Sequence, residues 1–455
     1  MRVLLTLLIS FVSAAMPMFA RTGDGVLRRG SFADAGFDSR LGHRIDSIVE
    51  LNISKRSFPG CQVVVACDGI VVVDKAYGHL DYSITSPDVN RSTLYDIASM
   101  TKVAATVSAI MQAVESGTVD IDAPVGRYLP ELAGTDKENI TIRRLLLHES
   151  GLESISLPPL LVDSASFTGR LIGYRKAGPL SIKIGRNVYA NRNARLRKDL
   201  FSNHRNGKYD LRIASRLYAD PRVKTIVDSA IAASKLKTAA YRYSDLGFCL
   251  LKNVVEATSG ETFDRLLDKQ VFAPIGMRNT MFNPLSHGRK DNIAPTERDD
   301  FLRRQTVRGY VHDEIAAFSG GVQGNAGLFS TAADMARLCQ TWLNGGSYGG
   351  KTVFSSELLR MFTADCSPKS HRGLGFDRAA RIGSMADAGV PGEAYGHLGF
   401  TGTGFWADPV NRIIVVFLSN RVCPSRDNPS FDRLSPRTAI MEAVYDSLLK
   451  PSDGH

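Results

Sequence analysis

The chain has 455 residues, of which 44% are hydrophobic and 8% aromatic, and its formal net charge is +10. That is enough apolar material for a large core in one big domain or two intimate ones. Beyond the first twenty residues no stretch approaches the about 18 to 20 apolar residues of a spanning helix. The basicity is concentrated: residues 155–240 hold seventeen Lys and Arg against five Asp, an excess of +12, and the rest of the chain carries −2.

In chain order, Met1-Arg2 and the apolar run from Val3 to Ala15 read as a secretory signal over residues 1–20, with Ala15 and Ala20 as possible cleavage ends. A cleaved chain of 21–455 would be periplasmic or secreted, with no stable membrane span; an uncleaved anchor is the alternative. Phe37 to Asn52 has Leu41, Ile45, Ile48 and Leu51 on one helical face. Two strand-like runs follow, Gln62–Ala66 and Ile70–Lys75, joined by the turn pair Asp68-Gly69. Asp96 can cap a helix whose first turn holds Ser99 and whose stripe runs through Val103, Val107, Ile110, Met111 and Val114. A second short helix spans Ile140 to His148.

Residues 155–235 read as a basic insertion, partly ordered at best between Ile184 and Tyr209, with a helix over Val223–Ser234. It offers a surface for an anionic envelope polymer, or else a solvated decoration. Tyr243-Ser244-Asp245 then leads into an apolar helix. The loop Gly320–Gly324 precedes a helix capped by Thr331 with Asp334 three residues on. His397–Ala407 and Ile413–Leu418 read as two strands joined through Asp408-Pro409 and Asn411, and Ala439–Leu449 as a closing amphipathic helix.

Three motifs carry chemistry: Ser99-Met100-Thr101-Lys102, Tyr243-Ser244-Asp245 and His397-Leu398-Gly399. A serine needs a nearby base, and a lysine three residues on along a helix lies within its reach. A tyrosine can relay the proton, and a glycine-flanked strand lets a ligand approach closely. Ser234-Lys235-Leu236-Lys237 also fits S-x-x-K, but it lies in a Lys-rich, exposed-looking stretch with no apolar helix behind it. His312-Asp313-Glu314 lacks the i, i+4 histidine pair of a zinc helix, so neither a metal nor a cofactor is expected. The cysteines at 61, 67, 249, 339, 366 and 423 show no C-x-x-C pair and read as buried free thiols. Cys61 and Cys67, about 20 Å apart on one strand, cannot bridge.

On these motifs the chain resembles the serine beta-lactamase and penicillin-binding-protein superfamily, nearest its branch of class C beta-lactamases, D,D-carboxypeptidases and related esterases. Val125–Pro130, Leu145–Leu152, Ala326–Ala332, Gly309–Asp313 and Ser419–Val422 extend the likeness across about Phe37 to Leu449, except for 155–235. The resemblance implies an α/β (α+β type) fold: a five-stranded antiparallel sheet flanked by helices, an all-helical region, and the active site between them. It implies Ser99 as the acylated nucleophile, Lys102 and Tyr243 as general base and acid, and Asp245, His397, Gly399 and Phe400 as substrate-binding positions. The N–H groups of Ser99 and Phe400 would form the oxyanion hole. His397 would bind a substrate carboxylate or assist the tyrosine. Asp245 replaces the usual asparagine and would repel an acidic substrate unless Lys102 compensates. Leu398 replaces a small hydroxyl residue. These departures favour a peptidase, amidase or esterase, acting on cell-wall peptide or a related amide or ester, over an efficient beta-lactamase. A non-catalytic ligand-binding relative is the reading from another class, and nucleic acid is not expected as a partner.

Overall fold

A computed structural model describes residues 25–237 and 241–449. The expected signal, residues 1–20, lies outside the described residues. Helix α1 (Leu41–Ser54) buries Leu41, Ile45 and Val49, starting four residues later than the periodicity suggests. Strands β1 (Gly60–Cys67) and β2 (Ile70–Gly78) form the expected hairpin. Asp68 and Gly69 both take positive φ in its turn, as a tight two-residue connection requires. Ser99 follows in a single 3₁₀ turn, Lys102–Val107 is a π-helical turn, and α2 (Ser108–Glu115) continues regularly.

The basic segment is folded throughout its middle, correcting the partly ordered reading. Its strand β3 (Leu180–Gly185) pairs with Val188–Asn191, which pairs with Ile172–Gly173. Apolar residues at 180, 182 and 184 alternate with Ser181 and Lys183, a two-residue period short enough to hide among the arginines. Leu161, Ala190, Ala194, Leu200 and Ile213 join the main core, so this segment buries apolar surface of its own. It leaves and re-enters through one stem: Glu153 N–H donates to Lys235 O, and Lys237 N–H donates to Gly151 O. A helix over Arg222–Ala232 completes it.

Helices α3 (Leu246–Ser259) and α4 (Ala332–Leu343) follow, the latter capped by the Thr331 hydroxyl accepting from Asp334 N–H. Strand β4 (Tyr395–Gly399) turns through residues 400–402 into β5 (Thr403–Asp408), so the single strand expected over His397–Ala407 is a hairpin. Strand β6 (Ile413–Ser419) and helix α5 (Pro436–Tyr445) close the fold.

The large sheet has seven strands rather than five. Its antiparallel centre runs β2-β1-β6-β5-β4. Two-residue strands flank it, Arg28–Arg29 parallel to β2 and Asp377–Arg378 antiparallel to β4. Both faces are covered. Val63, Val65, Val415 and Phe417 pack with α1 and α5, while Val64, Val416 and Leu418 face the larger core with α2, α3 and α4. Complete burial of β6 explains its unbroken apolar run. Among the described residues no helix is long and apolar enough to cross a membrane.

Candidate active site

The site forms where the helical core meets β4. Asp96, buried, accepts from Ala98 N–H at 2.9 Å and His312 N–H at 2.7 Å. The two bonds pull Ala98 into positive φ (+48°), a strained conformation for a residue with a Cβ. The Thr401 and Thr403 hydroxyls donate to Asp96 O (2.7 Å) and Ile97 O (3.1 Å), tying this turn to the β4–β5 hairpin. Instead of capping a regular helix, Asp96 holds a turn that presents Ser99.

The next residues widen into the π-helical turn, a form frequent at functional sites. Lys102, fully buried, projects from it. Its ammonium donates to Ser99 Oγ at 2.9 Å, Asp245 Oδ1 at 2.6 Å and Asn325 O at 3.1 Å. Three acceptors match the three protons of an ammonium, which a neutral amine could not supply. Burial opposes that charge, yet Asp245 and Tyr243 outweigh it and hold the lysine above its ordinary range. The Asp245 charge is thus offset by Lys102.

Tyr243 shows a ring flank to solvent while its hydroxyl end turns inward to Lys102 and Ser99. Burial of that end raises its pKa above the ordinary tyrosine value, and Lys102 partly counters the rise. The ring stacks on His148 at 4.3 Å between centroids. His148 Nδ1 lies 3.1 Å from both the amide and the carbonyl of Ser244, which fixes the loop entering α3. Burial keeps His148 neutral, its pKa well below the usual histidine value.

His397 lies buried behind Tyr243. It is 2% exposed, its Nδ1 meets Leu398 O at 2.8 Å, and its ring lies 6.2 Å from that of Tyr243. Burial lowers its pKa to about 4, so it carries no standing charge for a substrate carboxylate. Gly399 permits the close approach of β4 to the serine turn: a Cβ there would stand 2.5 Å from Ile97 O and 2.0 Å from Thr403 Oγ1. Phe400 follows in the turn, its carbonyl accepting from Arg421 Nε at 2.9 Å and its ring under the same guanidinium at 4.8 Å.

A cleft of about 440 Å³ opens over Ser99, lined by Tyr243, Asp245, Leu398, Gly399 and Phe400 together with Arg421 and Arg437. Burial and the neighbouring Arg421 push Arg437 down to about 10, which leaves it cationic at neutral pH. Sequence reasoning missed both arginines as site residues, and also missed Asn325, His148 and a carboxylate group beneath the cleft. Arg426 Nη2 bridges Glu297 (2.6 Å) and Glu314 (2.8 Å), and His312 Nε2 meets Glu297 Oε2 at 2.8 Å. Burial disfavours the charge on either glutamate, but His312 and Arg426 hold Glu297, and Arg426 and Arg303 hold Glu314, down to about 2. Asp313 goes the other way, raised to about 6 by burial and by Asp245 and Glu314. The dismissed second S-x-x-K is not assembled into a site: Ser234 is buried and Lys237 pairs with Glu153 at 2.7 Å.

The family model described as Beta-lactamase matches residues 43–434. A protein of Escherichia coli (strain K12) named "Putative D-alanyl-D-alanine carboxypeptidase" is 31% identical over 433 residues, covering 89% of each chain. Among solved structures, a penicillin-binding-protein homologue from Caulobacter crescentus superimposes with a TM-score of 0.59 at 20% identity, covering 90% of this chain and 98% of that one. EstCE1, described as a hydrolase with promiscuous acyltransferase activity, gives 0.61 at 19%, covering 91% and 100%. With the fold and these matches together, the chain belongs to the beta-lactamase family and is a serine hydrolase.

Proposed function

We propose that this is an exported D,D-carboxypeptidase-like hydrolase that forms an acyl-enzyme on Ser99 and acts on a cell-wall peptide amide. The observation that carries the reading is Lys102 Nζ at 2.9 Å from Ser99 Oγ with the Tyr243 hydroxyl beside both. The resting pair is fully protonated, with Lys102 donating to the serine. The reactive form is the minority state in which the Lys102–Tyr243 pair has lost one proton. That pair takes the proton of Ser99 as Oγ adds to the substrate carbonyl, and returns it to the departing amine as the C–N bond breaks. Water then repeats the sequence against the ester, releasing the acid and restoring the serine. The N–H groups of Ser99 and Phe400 would receive the developing oxyanion.

A terminal substrate carboxylate would meet Arg437 and Arg421 across the cleft, in place of the charge that buried His397 lacks. The E. coli relative's name and the apolar run of residues 3–15 support the substrate class and the export.

The decisive experiment is the intact mass of the protein with a penicillin over time, beside Ser99→Ala. A long-lived adduct absent from the variant supports a penicillin-binding peptidase. A transient adduct with drug turnover would instead make this a beta-lactamase. No adduct would move the substrate to an ester or another amide. Ser99→Ala should lower amide hydrolysis by at least about 10³-fold, and hydrolysis retained at the native rate would remove Ser99 as nucleophile.

A further inference from the structure

Beside the serine cleft lies a second, larger hollow of about 550 Å³. The two are neighbours that share a boundary: Asp245, Asp313, Glu314 and Arg426 line both. Ile155, Ile172, Ile182 and Ile184 of the basic segment line it, together with Phe301 and Ile315 from outside that segment. Ile182 and Ile184 lie two apart on β3 and are only half buried, so their apolar flank awaits cover. The charged floor is already paired within itself, through Arg426 with Glu297 and Glu314 and through Asp299 with Arg303 at 2.8 Å.

The basic segment is fastened across this hollow rather than left free. Lys183, which also lines the hollow, pairs with Asp427. Arg304 Nη2 donates to Ala194 O at 2.8 Å and Arg192 O at 3.2 Å from the opposite rim. The segment therefore roofs a hollow that begins at the nucleophile's own cleft.

We propose that this chamber is the acyl-side subsite of the enzyme, and that β3 selects substrates whose acyl portion is an extended aliphatic chain lying along Ile182 and Ile184. The proposal rests on Ser99 being the acylated residue. An acyl group bonded to Ser99 would extend past Asp245 and Asp313, the shared boundary of the two hollows. The apolar wall recovers the hydrophobic contribution of the chain, and the self-paired floor gives an isolated charge no unpaired partner. The roof would thus act on specificity while touching no reacting atom.

The test is a pair of p-nitrophenyl esters, acetate and hexanoate, whose kcat/KM ratio is independent of the amount of folded enzyme. A methylene taken fully out of water is worth about fourfold, so with a half-closed wall the hexanoate should be preferred by about tenfold or more. Ile182→Asp should bring the ratio near one, and Ile182→Val should keep it. Ile184→Asp serves as a second probe if the first fails to fold. Equal kcat/KM for the two esters in the native enzyme, or a preference that survives both aspartates, overturns the proposal. Hydrolysis of neither ester removes it together with the Ser99 reading beneath it. Failure to release D-alanine from an acyl-D-alanyl-D-alanine, with the ester preference intact, removes only the carboxypeptidase reading.

Discussion

In the proposed mechanism, Asp245 decides when the Lys102–Tyr243 pair can work. A carboxylate 2.6 Å from Lys102 Nζ keeps the lysine protonated, so the deprotonated pair becomes available only as pH rises. The acidic limb of kcat/KM should therefore lie high in this enzyme. Asp245→Asn removes the charge that holds the proton and should shift that limb down by about one pH unit or more. A pH–rate profile on an uncharged substrate measures it, and an unmoved limb would mean Asp245 does not govern the pair. Arg437 can be tested separately. If it receives a substrate carboxylate, Arg437→Ala should raise KM about tenfold for acids, with the matching amides unchanged; equal effects on both would point to packing. Ser99, Lys102, Tyr243 and Asp245 were legible because each sits in a short motif whose spacing is local. Arg437, Asn325 and His148 were not, since they reach the cleft from elements distant in sequence and have no spacing relative to Ser99. His397 was legible as a position but not as a charge state, because its burial depends on the helical core packed over β4.

At the scale of elements, the serine turn and β4 form one mechanical unit. The turn is held by Asp96 and by two threonine hydroxyls from the β4–β5 hairpin, and Gly399 sets the separation. Gly399→Ala would force a Cβ against the Ile97 carbonyl, a backbone atom that cannot rotate away. A displacement near 1 Å between Ser99 and Phe400 should lower kcat by about 10²-fold, with a modest fall in Tm. Native kcat in a folded Gly399→Ala protein would contradict this. The hairpin of β1 and β2 was legible because Asp-Gly between alternating runs is a strong local signal. The β4–β5 turn at 400–402 was missed because Phe400-Thr401 interrupts the glycines with residues that suit a strand. The small sheets of the basic segment were missed for a related reason. Their strands span two to six residues, and arginine dominates between them.

For the whole molecule, buried carboxylates and buried histidines together set how stability changes with pH. Asp313 has a folded pKa of about 6, above its unfolded value of about 3.9, so its neutral form is favoured by folding and stability increases as pH falls through 6. Glu297 and Glu314 have folded values of about 2, below the unfolded value of about 4.3. Their contribution is complete above that unfolded value and is lost as pH falls towards 2. The buried His148 and His397 oppose Asp313: both are held below the unfolded histidine value of about 6.5, so their contribution is present above it and is lost as pH falls. Tm should therefore fall by about 2 °C or more between pH 7 and pH 3. Asp313→Asn should steepen the fall between pH 7 and pH 5, and Glu297→Gln should flatten it below pH 4. A Tm higher at pH 5 than at pH 7 would refute the assignment. The basic segment contributes differently. Lys183, Arg197, Arg205, Arg222 and Lys237 each have an acidic partner, so part of the charge over residues 155–240 is engaged in ion pairs.

The six cysteines are all unbridged, and Cys61, Cys249, Cys339 and Cys423 are buried. Burial pushes the Cys423 thiol up to about 12 and holds those of Cys61 and Cys249 far above the ordinary range. A thiol of that kind reacts with an alkylating reagent only after the chain around it opens. Cys61 lies in the central sheet, Cys249 in α3, Cys339 in α4 and Cys423 in the loop after β6. The protein thus carries its own distributed set of opening reporters, in which the order of labelling would read out which part of the architecture yields first.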